Sequence, residues 1–221
     1  YLCCAVLGCW VSSPMNKFFG RRGATFVSSL ISFATCIWQA VTNNWWHLFL
    51  ARFIMGFGIG PKSATVPVYA AECAPPLIRG ALVMQWQTWT AFGVMLGNAF
   101  GLMFYQVKDT TSIHGLNWRL MLGSACIPAI FVMAQIYLCP ESPRWLMKQG
   151  LYKKAFASMQ RLRNTPLFAA RDLFLAHCLI ELEHESGEVN GHPPVWQLFS
   201  VPRFARATWA STIVMFGQQF C

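Results

Sequence analysis

Long uncharged apolar runs alternate with short polar breaks along most of this chain. Runs over residues 1–15, 24–41, 48–69, 81–105 and 119–138 predict five helices. A helix needs about 20 apolar residues to cross a bilayer at about 1.5 Å of rise per residue, and these runs fit or approach that length. A sixth run opens near Ala205. The breaks are of several kinds. Lys17, Arg21 and Arg22 follow the first run, and Thr42-Asn43-Asn44-Trp45-Trp46-His47 reads as a polar-aromatic loop at a membrane interface. Glu72 to Arg79 forms a charged loop after the third run.

The pattern changes over residues 151–202. Leu151, Ala155, Met159 and Leu162 recur at helical spacing, with Lys153, Lys154, Arg161 and Arg163 between them. That spacing predicts an amphipathic helix. A second soluble helix is predicted over 167–185, ending in Glu181, Glu183, Glu185 and Glu188, and residues 187–194 read as a linker. Between membrane and soluble parts stands Pro140-Glu141-Ser142-Pro143-Arg144-Trp145-Leu146. Ser142 is placed to cap a new helix and Pro143 to fill its first turn. Glu141 and Arg144 then lie at the membrane edge with opposite charge.

Composition sharpens this reading. Apolar residues make up 55% of the chain and charged residues 11%, less than half the usual charged share of a soluble domain. The net charge of +9 raises the question of nucleic acid, but the placement of the charge excludes it. Lys17, Arg21, Arg22 and Arg79 fall on one side of the predicted spans with Arg144, Lys148, Lys153, Lys154, Arg161, Arg163, Arg171, Arg203 and Arg206, and only Arg52, Lys108 and Arg119 lie near the other. Lys and Arg accumulate on the cytoplasmic side of membrane proteins, so the first group is expected in the cytoplasm. The nine cysteines show no paired metal-ligand spacing and read as small apolar side chains, with no metal and no cofactor expected. The chain opens and closes inside apolar runs, which predicts a fragment of a longer protein.

The polar residues inside the apolar runs are the candidate chemistry. Arg52 and Lys62 flank Gly56-Phe57-Gly58-Ile59-Gly60. A charge in a span normally meets a partner or a watery cavity, so Arg52 is either functional or snorkels to the outer interface. The glycines carry GxxxG spacing for close helix packing, and no strand precedes them as a nucleotide loop would need. Gln85, Gln87 and Asn98 lie in the fourth run, and Gln218 and Gln219 in the last. An amide donates and accepts, as a sugar hydroxyl does, without the desolvation penalty of a buried charge. The same amides also serve as hydrogen bonds between helices. Residue chemistry alone therefore reaches transport of a polar solute and no further.

Several stretches, taken in order, resemble the sugar porters of the major facilitator superfamily. They are Gly20-Arg21-Arg22-Gly23; Arg52 with Gly56, Gly60, Pro67, Tyr69, Glu72, Pro75, Arg79 and Gly80; Asn117-Trp118-Arg119; Pro140 to Leu146; and Gln218-Gln219-Phe220. The run Pro14 to Gly23 and Pro61-Lys62-Ser63-Ala64-Thr65 are similar to the fungal hexose and polyol branch, with Ser13 where the family often has an acidic residue. The resemblance implies an all-α, multi-pass membrane protein of the plasma membrane with a partial major facilitator fold: helices two to six over 1–139, a cytoplasmic helical linker over 140–203, and the start of helix seven over 204–221. It implies substrate contacts at Gln87, Gln218 and Gln219, with Arg52 as a proton-coupling candidate. Arg21, Arg22, Glu72, Arg79, Glu141 and Arg144 are implied as a cytoplasmic gate, and Gln39 is placed on a peripheral helix. The expected activity is sugar or polyol transport by alternating access, with protons and the lipid bilayer as further partners and no enzymatic step. The fragment alone is expected to be inactive. The alternatives are a non-transporting sugar sensor of the same fold and a membrane-embedded enzyme.

Overall fold

A computed structural model describes the backbone of residues 2–107, 115–163, 165–190 and 202–220, and the side chains of 8–107, 115–163, 165–182 and 205–214. The regular elements among them are all helices: α1 (Leu2–Val41), α2 (Trp45–Cys73), α3 (Arg79–Tyr105), α4 (Leu116–Ser124), α5 (Cys126–Gln135), α6 (Pro143–Lys148), α7 (Tyr152–Leu162), α8 (Pro166–Asn190) and α9 (Pro202–Phe220). Two stretches, Gly8–Val41 and Leu116–Gln135, combine the length and apolar composition for crossing a membrane. Helices α2 and α3, at 29 and 27 residues, reach about 40 Å each but interrupt their apolar character with Arg52, Lys62, Gln85, Gln87 and Asn98.

Several boundaries differ from the sequence expectation: the predicted loops at 42–47 and 72–79 give up Trp45, Trp46, His47, Glu72 and Cys73 to α2 and Arg79 to α3. The first two runs are separated by a single residue: helical geometry continues across 2–41 except at Gly20, with φ 73° and ψ −176°. The expected fifth helix is broken between Ser124 and Cys126. Pro128 has no N–H to give to the carbonyl of Ser124, so the ladder cannot run through that turn. The predicted linker over 187–194 is helical to Asn190, since α8 continues through Gly187. Residues 191–194 lie outside the described residues.

The chain packs as two compact units, Tyr1–Leu173 and Phe174–Cys221. The core of the first unit is the seam between α1 and α2, built on small residues. A Cβ added at Gly8 would stand 3.2 Å from the Gly56 carbonyl oxygen and 3.3 Å from the Gly60 Cα, so the two backbones touch. Gly56 and Gly60 are buried, as their spacing predicts. Further along the seam, Asn16 and Thr65 form a buried pair: Asn16 Nδ2 donates to Thr65 Oγ1 at 2.9 Å and Thr65 Oγ1 donates back to Asn16 Oδ1 at 3.0 Å. Gln39, expected near the outer end of a peripheral helix, is only 2% exposed and donates to Met55 Sδ. At the opposite end from Gly20, Arg119 joins α4 to the end of α1. Its Nη1 donates to the carbonyls of Ala40 and Val41 at 3.3 Å each and its Nη2 to Asn43 Oδ1. A cation there suits the negative pole of a helix C-terminus. Helix α3 contrasts with this seam, for it buries no residue.

Candidate functional site

Gly20 creates the site. Its positive φ stops one helix and lets the next begin at Arg21, leaving the N–H groups of that first turn without intrahelical partners. The carboxylate of Glu141 fills the vacancy from the far end of the unit. Glu141 Oε1 accepts from the backbone N–H of Arg21 at 3.0 Å and of Arg22 at 3.3 Å, and Oε2 lies 3.4 Å from the latter. A carboxylate at a helix N-terminus also gains from the helix dipole. Glu141 Oε1 accepts a further bond from the N–H of Ser142 at 3.0 Å. Only glycine serves at position 20 on two counts. The φ is left-handed, and a Cβ would stand 3.0 Å from Glu141 Oε2.

A second carboxylate sits beside the first. Arg21 grips Glu72 with two bonds, Nη2 to Oε1 at 2.9 Å and Nε to Oε2 at 3.1 Å. The pair is largely shielded, with side-chain exposures of 20% for Arg21 and 10% for Glu72. Ser142 links the two carboxylates. Its Oγ donates to Glu72 Oε2 at 2.5 Å while accepting from the Trp145 N–H that opens α6. This is the helix cap expected of Ser142, with Pro143 in the first turn. Arg22 Nη2 donates to the Tyr137 carbonyl at 2.6 Å, and its guanidinium lies over the Tyr137 ring. Tyr69 closes the cluster by donating its hydroxyl to the Pro140 carbonyl at 2.6 Å. Three segments far apart in sequence, around residues 21, 72 and 141, thus meet at one patch.

Of the six residues expected at the gate, Arg21, Arg22, Glu72 and Glu141 are joined directly. Arg144 lies on the first turn of α6, half-buried beside them. Arg79 is exposed at the start of α3 and makes no bond to a described residue. The carboxylate of Glu141 is occupied by backbone N–H groups, a role that no charge-pairing rule reveals. The signal for it was Gly20 itself, a helix breaker directly before an arginine pair.

The expected substrate contacts sit differently. Gln87 is half-exposed on α3, Gln85 and Asn98 are exposed, and none has a hydrogen-bond partner among the described residues. Along the same helix, a Cβ added at Gly93, Gly97 or Gly101 would meet nothing within 4 Å. Arg52 is exposed on α2 without a partner among the described residues. Gln218 and Gln219 belong to α9, and their side chains lie outside the described ones. Among the described residues, no three His, Cys, Asp or Glu side chains gather to hold a metal ion.

Known proteins share this arrangement of sequence and fold. The family model described as "Sugar (and other) transporter" matches residues 1–221. The chain is 32% identical over 219 residues to a myo-inositol transporter of Gibberella moniliformis, covering 97% of this chain and 37% of that protein. It is 32% identical over 204 residues to the human proton myo-inositol cotransporter, covering 92% of this chain and 30% of the cotransporter. Among solved structures, it is similar to the major facilitator superfamily proton:xylose symporter XylE bound to 6-bromo-6-deoxy-D-glucose. The TM-score is 0.75 at 26% identity, over 84% of this chain and 43% of that one. The chain therefore spans less than half the length of these relatives. Its all-α architecture is part of the major facilitator fold, and it is a multi-pass membrane protein. On the family match across its whole length, the chain belongs to the sugar transporter family.

Proposed function

We propose that, in the complete protein, this chain supplies part of a substrate path and the cytoplasmic gate of a plasma-membrane carrier for a sugar or polyol, working by alternating access. The observation that carries the reading is the bond between Glu141 and the helix start at Arg21, beside the Arg21–Glu72 pair. These are charge-assisted bonds between the ends of separate helices. Each can be made and broken without unfolding a helix, as a gate requires. Exposed ion pairs contribute about 0–1 kcal/mol each, but a shielded network of carboxylates and helix-end N–H groups contributes more. With the gate closed, the path is open to the outside; breaking these bonds lets the two halves of the transporter rock the other way.

Gln87 supplies one neutral hydrogen-bonding group to the substrate, and Gln218 and Gln219 supply two more. The amide of Gln87 has no partner among the described residues and is available for this role. Arg52, uncovered on α2, is the candidate for proton coupling; a symporter of this kind takes up sugar together with protons.

The test is uptake. The complete protein in proteoliposomes is expected to accumulate a labelled hexose, pentose or inositol, faster with an inward proton gradient than without. Faster uptake with the gradient supports symport, and equal uptake supports facilitated diffusion. Absence of uptake and of binding for the whole panel would sink the transport reading.

A further inference from the structure

Both acidic residues of the cytoplasmic cluster are also held from behind, through the backbone beside their side chains. Ser158, in α7, donates its hydroxyl to the carbonyl of Glu141 itself at 2.5 Å. Arg163, at the joint between α7 and α8, donates from Nη1 to the carbonyl of Cys73 at 3.3 Å. Cys73 is the last residue of α2 and follows Glu72 directly. The same guanidinium is oriented from the other side by Asp172 in α8, with Nε 2.6 Å from Oδ2. Its third bond, to the Leu162 carbonyl at 3.2 Å, ties it to the end of α7.

Arg163 is unusual among the basic residues of the soluble stretch. Lys153, Lys154 and Arg161 are exposed, whereas the Arg163 side chain is 10% exposed and that of Asp172 is 23% exposed. A nearly buried guanidinium needs full use of its donors, and the planar fork of arginine can serve two helix ends and a carboxylate at once. The apolar face of α7 does the rest of the docking: Ala155 is 0% exposed and Met159 5%, with Ala169 of α8 at 0%.

We propose that Arg163 is a positioning residue of the gate. Resting on the transport reading above, the inference is that the α7–α8 elbow clamps the cytoplasmic end of α2 through Arg163 and so sets where Glu72 stands for Arg21. Asp172 orients the arginine, and Ser158 fixes Glu141 in the same way from α7. The elbow is thereby part of the latch, and release of the elbow loosens the latch without any change to Arg21, Glu72 or Glu141.

The experiment reads the latch away from the mutated joint. Ala24 lies just beyond Arg21 and Arg22 and is 1% exposed. In the complete protein, purified in nanodiscs and freed of its other cysteines, a cysteine replacing Ala24 reports opening by its rate of maleimide labelling. Arg21→Ala sets the rate for a broken latch. Arg163→Ala is expected to raise labelling about ten-fold, in line with loss of a shielded charge-assisted bond. Arg163→Lys restores part of the slow rate, since an ammonium keeps the charge but cannot span all three acceptors. The exchange Arg163→Asp with Asp172→Arg keeps an ion pair and is expected not to rescue, because an aspartate at 163 has no proton for the Cys73 carbonyl. Should Arg163→Ala fail to fold, Asp172→Asn carries the test with a smaller rise of the same sign.

Wild-type labelling in Arg163→Ala or in Asp172→Asn, with Arg21→Ala fast, overturns the clamp. Full rescue by the charge exchange also overturns it, for then the ion pair alone matters. Sugar uptake is measured on the same preparations. Absent uptake with the labelling shifts intact removes the transport reading and leaves the clamp standing.

Discussion

The polar patch around Arg21 and the length of α3 are opposites. In the patch, the carboxylates of Glu72 and Glu141 and the guanidiniums of Arg21 and Arg22 all have partners within the chain. On α3, no residue is buried, and Gln85, Gln87 and Asn98 have no partner among the described residues. The difference separates two kinds of polar residue in a membrane protein. Polar groups that hold elements together must be satisfied at home, because a buried unpaired group is costly. Polar groups on a helix that this chain leaves uncovered keep their valences open, for a solute or for a neighbouring helix of the complete protein. If the comparison is right, damage to the patch disturbs folding and gating, whereas damage to α3 disturbs affinity and little else.

The sharpest way to break it is Gly20→Ala. The substitution places a Cβ at 3.0 Å from Glu141 Oε2 on a backbone with φ 73°. For a residue with a Cβ this positive-φ, extended-ψ backbone costs about 1–3 kcal/mol, and the displaced carboxylate adds about 1–3 kcal/mol for the N–H groups it leaves. Thermal unfolding is expected to fall by several degrees and transport by more than ten-fold. A fully active, equally stable Gly20→Ala protein would show that the helix break is not needed.

Next in size is Glu141→Ala. It strips the cap from the helix at Arg21 and leaves Ser142 N–H without its carboxylate. A loss of about 2 kcal/mol from the closed gate is expected, with the population shifted toward inward-open and cycling slowed. Sugar binding is expected to survive. Arg144→Ala is expected to shift the gate the same way, by less, since Arg144 lies beside the carboxylates on α6. Unchanged accessibility and unchanged uptake in both variants would remove the gate.

Much of this contrast was legible in the sequence. The apolar runs fall on α1 to α5, and Ser142-Pro143 placed the start of α6 to the residue. The family motifs gathered Arg21, Glu72 and Glu141 before any coordinates did. What could not be read was partnership across space. Charge arithmetic pairs Glu141 with an arginine side chain, whereas its carboxylate is taken up by backbone N–H groups exposed by Gly20. Periodicity saw Arg163 as one more solvated base of an amphipathic helix, although its guanidinium is buried against the end of α2. The resemblance places the helix of Gln39 at the periphery, and nothing in the pattern shows that its amide is enclosed beside Met55. In each case the deciding neighbour lies many residues away, and a linear pattern carries no record of it.

On the α3 side, Gln87→Ala is expected to weaken apparent sugar affinity about ten-fold, since a lost hydrogen bond and an unpaired buried hydroxyl together approach 1.4 kcal/mol. Gln218→Ala and Gln219→Ala are expected to act alike. Melting temperature without sugar should not move for Gln87→Ala, because the amide has no protein partner among the described residues to lose. Gln39→Ala is no control for stability, because its buried amide loses the bond to Met55. Equal kinetics for wild type and the three site variants at matched expression would mean that these amides only join helices.

The smallest effect expected is that of Arg79→Ala, and it tests where the two regions meet. Arg79 opens α3 beside the patch, yet it is exposed and bonds to no described residue. An exposed arginine contributes about 0–1 kcal/mol even when it is paired. Substitution is therefore expected to leave the melting temperature of the protein within a degree of wild type. Its effect on the gate is the informative part. If Arg79 belongs with Arg21 and Glu72 as the family motif implies, its acceptor lies beyond the described residues, and Arg79→Ala shifts Ala24 labelling a few-fold in the complete protein without touching stability. If neither stability nor labelling moves, Arg79 sides with α3 as an open, solvated group, and the gate is the work of Arg21, Arg22, Glu72 and Glu141.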